Sequence, residues 1–355
     1  MTVAGITEKA IMNIPRDLME TKKSVEKNID TIISVLKTKK NAFLIGCGDS
    51  YFVGIYGAYL LEALTPIRAY AEESHEFLYK QKFSNDDCLI AISASGATAK
   101  TVDALRYAKK KVITTIALTN SQNSVLAREA DFCIITRAQG KGAPTSTSVC
   151  AMYALTILAQ DLAKETKIEI PELVLETIEK IPSLVGNVIN MSRDFAKLVS
   201  EKIADHDVIY LTGAGPCYAS ALFGAAKLRE LAYLHSIAFE AEEFCHYPFL
   251  SLTSNDIAIV VASNGKSSER IFKILNALET LRVNTILIAD HKFISSVNIK
   301  PEITIELPEI PELIAPIINV IPLQLIAVET AKRRGIKDAT FRYADILFDL
   351  IGYYI

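Results

Sequence analysis

The chain has 355 residues, half of them hydrophobic and 22% charged, and 38 Lys plus Arg against 41 Asp plus Glu leave a formal net charge of −3. Such a composition can bury a large core, which excludes a disordered chain, and it lacks the basic excess that nucleic-acid binding demands. At about 150 residues per domain, the length predicts two domains.

The opening Met1-Thr2-Val3-Ala4-Gly5 has no basic stretch followed by an apolar one, so no signal peptide is expected. Strand-like apolar runs then alternate with helix-like stretches. The first four runs are Asn41–Ile45, Cys88–Ile92, Val112–Leu118 and Phe132–Ile135. A mostly helical stretch, Lys167–Lys202, links them to a second set at Val208–Thr212, Ile257–Ala262 and Thr285–Ala289, with a weaker run at Ile303–Glu306. Near-continuous apolar strands between helices predict parallel sheets covered on both faces, an α/β class. The apolar region Ile310 to Ala331 is interrupted by three prolines and by Glu312, Asn319 and Gln324. It reads as a loop leading into buried helix, and no membrane association is expected. Six scattered cysteines without a C-x-x-C pair point to a reducing, cytoplasmic setting.

The two halves repeat one design. Phe43-Leu-Ile-Gly46-Cys-Gly48-Asp-Ser50-Tyr51 matches Ile209-Tyr-Leu-Thr-Gly213-Ala-Gly215-Pro-Cys-Tyr218, and 213 − 46 gives an offset of 167. Ser93-Ala94-Ser95-Gly96-Ala-Thr98 matches Ser263-Asn264-Gly265-Lys-Ser267, and 265 − 96 gives 169. Two near-equal offsets predict a duplicated doubly wound domain. The expected domains are 1–170, with a core over about 33–165, and 171–355, with a core over about 200–335 and a tail.

Three loops in the first half suit an anion: Gly46–Ser50, Ser93–Thr98 and Thr145-Ser146-Thr147-Ser148. Each pairs hydroxyls with free N–H groups at a helix start, although Ser and Thr there cap a helix more often than they touch a ligand. Neither G-x-G motif has the third glycine of a dinucleotide fingerprint, no phosphate loop of the G-x-x-x-x-G-K type occurs, and Ser95 lies outside a G-x-S-x-G elbow. The five histidines show no H-x-x-x-H spacing, so neither a metal nor an organic cofactor is expected. In the second half, Lys227 and Glu230 share a helical face among Leu228, Leu231 and Leu234, and His246 follows the carboxylates Glu240, Glu242 and Glu243. Partial burial would fit Glu230 for base chemistry; a surface ion pair and a helix-end histidine are the plain alternatives.

Together these residues resemble the sugar isomerase (SIS) family, and within it the isomerase portion of glucosamine-6-phosphate synthase (glutamine–fructose-6-phosphate aminotransferase). The motifs that carry the resemblance are G-C-G-D-S-Y, S-A-S-G-A-T, T-S-T-S, A-A-K-L-R-E-L-A-Y-L-H and the run Val320-Ile-Pro322-Leu-Gln324-Leu, in the family's order from about Glu8 to about Arg342. The resemblance implies two doubly wound parallel-sheet SIS domains in tandem, paired into homodimers. It places Ser50, Ser93, Ser95, Thr98 and Ser146 at the sugar phosphate, with Ala94 where the synthase has glutamine. Glu230 takes the role of the base between C1 and C2, Lys227 that of a lysine beside it, and His246 that of a ring-opening histidine supplied by the neighbouring subunit.

Two departures shape the expectation. Residue 2 is Thr, not the synthase's nucleophilic cysteine, and no glutaminase domain is expected; the tail position of the Schiff-base lysine falls on Ile346, and no lysine follows Lys337. The expected activity is a hexosamine or fructose 6-phosphate isomerase-deaminase. The alternatives are a glutaminase-independent synthase, a fructosamine 6-phosphate deglycase and a non-catalytic sugar-phosphate sensor. In the tail, Ile346, Leu347, Phe348, Leu350 and Ile351 recur at helical spacing, with Asp345 and Asp349 on another face, and predict a short amphipathic helix packed on the body or closed over the pocket.

Overall fold

A computed structural model describes residues 1–355, the side chain of Asp345 excepted. Ten strands form two five-stranded sheets. The first contains β1 (Asn41–Gly46), β2 (Arg68–Glu73), β3 (Asp87–Ile92), β4 (Thr114–Thr119) and β5 (Phe132–Ile135), in the order β2-β1-β3-β4-β5. The second contains β6 (Val208–Gly213), β7 (His235–Glu240), β8 (Ile257–Ala262), β9 (Asn284–Asp290) and β10 (Ile303–Leu307), in the order β10-β9-β8-β6-β7. Every pairing is parallel. Read from its other edge, the second sheet has the connectivity of the first, so the duplication legible in the motifs extends to topology.

The central strands are apolar because helices cover them on both sides. β3 and β8 are buried at every position. Against the first sheet, Val102 and Leu105 of the helix Ala99–Lys110 pack with Ile45, Leu89 and Ala117. In the second, Ile271, Ile274 and Leu275 of the helix Ser268–Thr280 pack with Val260 and Leu287. Each such side chain contributes about 1.5–3 kcal/mol by leaving water. The helix Ala315–Arg333 is buried at nearly every position despite Pro322, as expected of a loop leading into buried helix.

The strands β2 and β7 were absent from the sequence reading. Both lie at a sheet edge, and their burial is patchy: Arg68, Tyr70, His235 and Ile237 are exposed. An edge strand with one open flank does not need a continuous apolar run, so its sequence carries little strand signal. The third run also starts later than expected, at Thr114, since Val112 is an exposed turn residue with φ +60°.

The chain divides into two compact units of discontinuous segments. One comprises Met1–Met12, Lys141–Ala143 and Glu179–Phe341; the other comprises Asn13–Gly140, Pro144–Ile178 and Arg342–Ile355. The tail thus belongs with the first sheet. Its helix, Ala344–Leu350, forms as expected, but Ile346, Leu347, Leu350 and Ile351 are exposed, so the apolar stripe is not what docks it. Asp345, placed on its other face, lies outside the described side chains. The attachment comes from backbone: Ala99 N–H donates to the Tyr353 carbonyl, Ile355 N–H donates to the Ala97 carbonyl, and Thr98 bridges Tyr354. Phe348 stacks on Tyr353 with ring centroids 4.6 Å apart. Among the described residues no helix is long and apolar enough to cross a membrane.

Candidate functional site

In a sheet of order β2-β1-β3-β4-β5 the strand order reverses between β1 and β3, and ligands of such sheets sit at the carboxyl ends of the strands at that reversal. The loops after β1 and β3 are the Gly46–Ser50 and Ser93–Thr98 segments singled out by sequence. Each opens a helix, Asp49–Leu64 and Ala99–Lys110, and the third loop opens the helix Ser146–Glu165.

The loop after β3 gathers its hydroxyls. Ser93 Oγ lies 3.0 Å from Thr98 Oγ1 and 3.4 Å from Ser95 Oγ, and it accepts the Gly96 N–H at 3.1 Å. Ser95 is exposed and accepts the Ala97 N–H, whereas Ser93 is buried. Thr98 precedes the helix without capping it through its side chain, so its hydroxyl is turned to the cluster instead. Gly96 makes the turn possible: its φ is +64°, and a Cβ there would lie 2.1 Å from Ser124 Oγ. Ala94 lends only backbone, its carbonyl accepting from Asn120 N–H and Thr119 Oγ1.

Side chains tie the three loops together. Cys47 Sγ lies 3.7 Å from Thr101 Oγ1 of the helix that follows the second loop and donates to Glu73 at 3.1 Å. Burial pushes its thiol above the ordinary range. Ser148 donates to Asp49 at 3.1 Å, which joins the third loop to the first. Ser50 is half-buried in the first turn of its helix.

Ser146, the sequence candidate in the third loop, is buried and donates a short hydrogen bond to Asp17. In the same loop, the Thr145 and Thr147 hydroxyls are buried without a hydrogen-bond partner. A buried hydroxyl left unmade costs about 1–3 kcal/mol, and the same holds for Ser192, Thr212 and Ser220 away from this loop. The T-S-T-S run offered all four hydroxyls alike; the long-range partners Asp17 of Ser146 and Asp49 of Ser148 separate them.

The remaining candidates lie in the unit of the second sheet. Lys227, wholly buried in the helix Cys217–Ala232, places Nζ 2.5 Å from Oε2 of Glu230, whose side chain is 34% exposed. A buried ammonium beside a carboxylate that still reaches solvent is an arrangement through which a proton can be exchanged on the exposed side. His246, near the end of the helix Ala241–His246, is exposed, with Nε2 3.4 Å from Glu242, which also pairs with Arg270 at 2.7 Å.

The SIS domain family matches residues 35–160 and 202–332, one stretch per sheet. The glutamine–fructose-6-phosphate aminotransferase of Pyrobaculum aerophilum is 31% identical over 92% of this chain and 54% of its own length; that of Aquifex aeolicus is 32% identical over 92% and 55%. The chain thus spans about half the length of these curated relatives. Among solved structures, the C-terminal domain of glucosamine-fructose-6-phosphate aminotransferase from Francisella tularensis superposes with a TM-score of 0.87 at 25% identity, covering 94% of this chain and 98% of that one. Glucosamine-6-phosphate deaminase from Thermotoga maritima shares the fold, with a TM-score of 0.70 at 19% identity over 93% and 98% of the two chains.

Proposed function

The chain belongs to the SIS domain family, and from that premise we propose that it is a sugar 6-phosphate isomerase-deaminase, converting glucosamine 6-phosphate and water to fructose 6-phosphate and ammonia. The observation that carries this reading is the Ser93, Ser95 and Thr98 hydroxyl cluster at the strand-order reversal, placed before a helix start. Hydroxyls and helix-terminal N–H groups hold a phosphate ester without needing Arg or Lys. Ser50 and Ser146 belong to the same assignment, with Ala94 as a backbone contributor.

The chemistry is assigned to Glu230 as the base that carries a proton between C1 and C2, with Lys227 holding its carboxylate in place. The substrate's own nitrogen becomes the imine at C2, and water hydrolyses it to the ketose. No tail lysine is required for that route. His246 is assigned to ring opening, contributed by the second subunit of a homodimer; its exposure suits a residue that works outside its own chain. The two SIS domains are taken as 1–170 and 171–355, with the tail from Arg342 packed on the first, and the setting as cytoplasmic.

The test is incubation with a panel of hexose and amino-hexose 6-phosphates, following ammonia and ketose together. Stoichiometric release of both from glucosamine 6-phosphate supports the reading. Ketose without ammonia, from an aldose phosphate alone, would replace it with simple isomerisation.

A further inference from the structure

The duplicated second domain carries the counterpart of the Ser93–Thr98 loop, and this counterpart is already filled. Between the end of β8 at Ala262 and Gly265 stand Ser263 and Asn264; between the end of β3 at Ile92 and Gly96 stand three residues, so the second loop is one residue shorter. Past the glycine, Lys266 N–H donates to Glu312 Oε2 at 2.9 Å and Ser267 N–H donates to Oε1 at 3.2 Å. The Ser267 hydroxyl, the counterpart of Thr98, adds a short hydrogen bond to the same Oε1. Glu312 comes from the segment between β10 and the helix Ala315–Arg333, so the contact spans more than forty residues of chain. Gly265 is what admits it, because a Cβ there would lie 2.3 Å from Oε2.

The occupant has the chemistry of a ligand. A carboxylate presents two anionic oxygens to a fork of N–H and O–H donors, as two oxygens of a phosphate ester would, at the start of the 13-residue helix Ser268–Thr280. In the first domain the equivalent N–H of Ala97 turns back to Ser95 Oγ, the Ala99 N–H is taken by the Tyr353 carbonyl of the tail, and among the described side chains no acidic one enters the cluster's hydrogen bonds. A second carboxylate backs the plug: Asp290 takes the Asn264 N–H at 2.6 Å. Cys217 registers both, its thiol pushed up to about 12 by burial first and by Glu312 and Asp290 after it.

We infer that Glu312 is an internal substitute for phosphate, seated in an anion cradle that the duplication copied, and that it limits each chain to one phosphate-ester site. A tethered group acts at an effective concentration of mM or above, so free phosphate at lower concentration does not displace it. Vacated, the second cradle takes inorganic phosphate or a phosphate monoester, more weakly than the first because Asp290 remains beside it.

The inference rests on the proposed function only for the occupancy of the first cradle, and the experiment separates the two. Isothermal titration with glucosamine 6-phosphate and with inorganic phosphate is run on the full chain, on Glu312→Ala, and on both with Ser93→Ala and Ser95→Ala added. One equivalent for the parent chain, a second and weaker one for Glu312→Ala, and retention of that second one when the first-domain serines are gone would support the plug. A parent chain that binds nothing, beside a Glu312→Ala chain that gains one equivalent, would overturn the first-domain site and leave the plug standing. A folded Glu312→Ala chain that binds no more than its parent would overturn the plug, as would two equivalents in the parent. If Glu312→Ala does not fold, Glu312→Gln keeps the shape and removes the charge. Its melting temperature should then rise with millimolar phosphate in the background lacking Ser93 and Ser95, and a flat response refutes the inference.

Discussion

Lys227→Met and Glu230→Gln separate what the pair does for stability from what it does for chemistry. The Lys227 side chain has no solvent exposure, whereas Glu230 keeps 34% of its own, and Nζ and Oε2 are 2.5 Å apart. Breaking a fully buried pair from one side costs about 3–5 kcal/mol. Here the carboxylate is partly screened by water, and glutamine still offers an acceptor, so Glu230→Gln should cost about 1–2 kcal/mol, the worth of one charge-assisted hydrogen bond reduced by exposure. Lys227→Met removes the buried charge itself and fills nearly the same volume. Its stability should lie within about 1 kcal/mol of the parent, since the Glu230 carboxylate it leaves behind reaches water and can be solvated there. The double variant should therefore recover most of the Glu230→Gln loss, leaving a coupling of about 1 kcal/mol in a double-mutant cycle. Urea unfolding at constant m reads this directly. Turnover should separate from stability: Glu230→Gln falls by about 10²–10⁴-fold with substrate still bound. Equal and additive losses for the two single variants would refute the coupling, and near-normal turnover in Glu230→Gln would make the pair structural.

Thermal shift should report glucosamine 6-phosphate but not glucosamine, since a ligand at 100 times its Kd stabilises by about 2.7 kcal/mol; equal shifts would count against the hydroxyl cluster. Gly96→Ala should lower the melting temperature and abolish that shift, because its Cβ would overlap Ser124 in a backbone of φ +64°; an unchanged melting curve would show that the loop can rearrange. Burial pushes the thiols of Cys88, Cys150 and Cys217 up to about 12, so iodoacetamide at pH 8 should leave all three unlabelled in the folded chain, as peptide mass mapping would read; labelling of any one exposes a local opening. Mixing Glu230→Gln subunits with His246→Ala subunits should restore up to about one working site per mixed dimer, as two-fold symmetry requires, and no recovery despite proven exchange would return both residues to one chain's chemistry.

Much of the architecture was legible because buried parallel strands write themselves as apolar runs: β3 and β8 were read to the end of their last residue. β2 and β7 were not, since each is half-open along its length and is placed by register with its neighbour, Asn41 on Arg68 and Val208 on His235, more than by an apolar run of its own. Similar physics governs the site. Hydroxyls on one loop, such as Ser93 and Thr98, are gathered by local chain geometry and can be foreseen. The division of labour in T-S-T-S depends on Asp17 and Asp49, about 130 and 100 residues away, and no local pattern carries it. Glu312 was read as a polar interruption in an apolar region; its purpose is visible only once Lys266 and Ser267 are seen to face it.

The strap of backbone between Tyr353–Ile355 and Ala97–Ala99 also sets a timetable. It joins Ile355 to Ala97, and 355 − 97 is 258 residues of chain. At a synthesis rate of about 5–20 residues per second, the first sheet and its hydroxyl loop emerge from the ribosome on the order of tens of seconds before the segment that closes against them. Until then the Ala99 N–H has no Tyr353 carbonyl to meet and is answered by water, so these hydrogen bonds are the last of the first domain to become available. Translation pauses within the second half would lengthen the interval without altering the finished molecule.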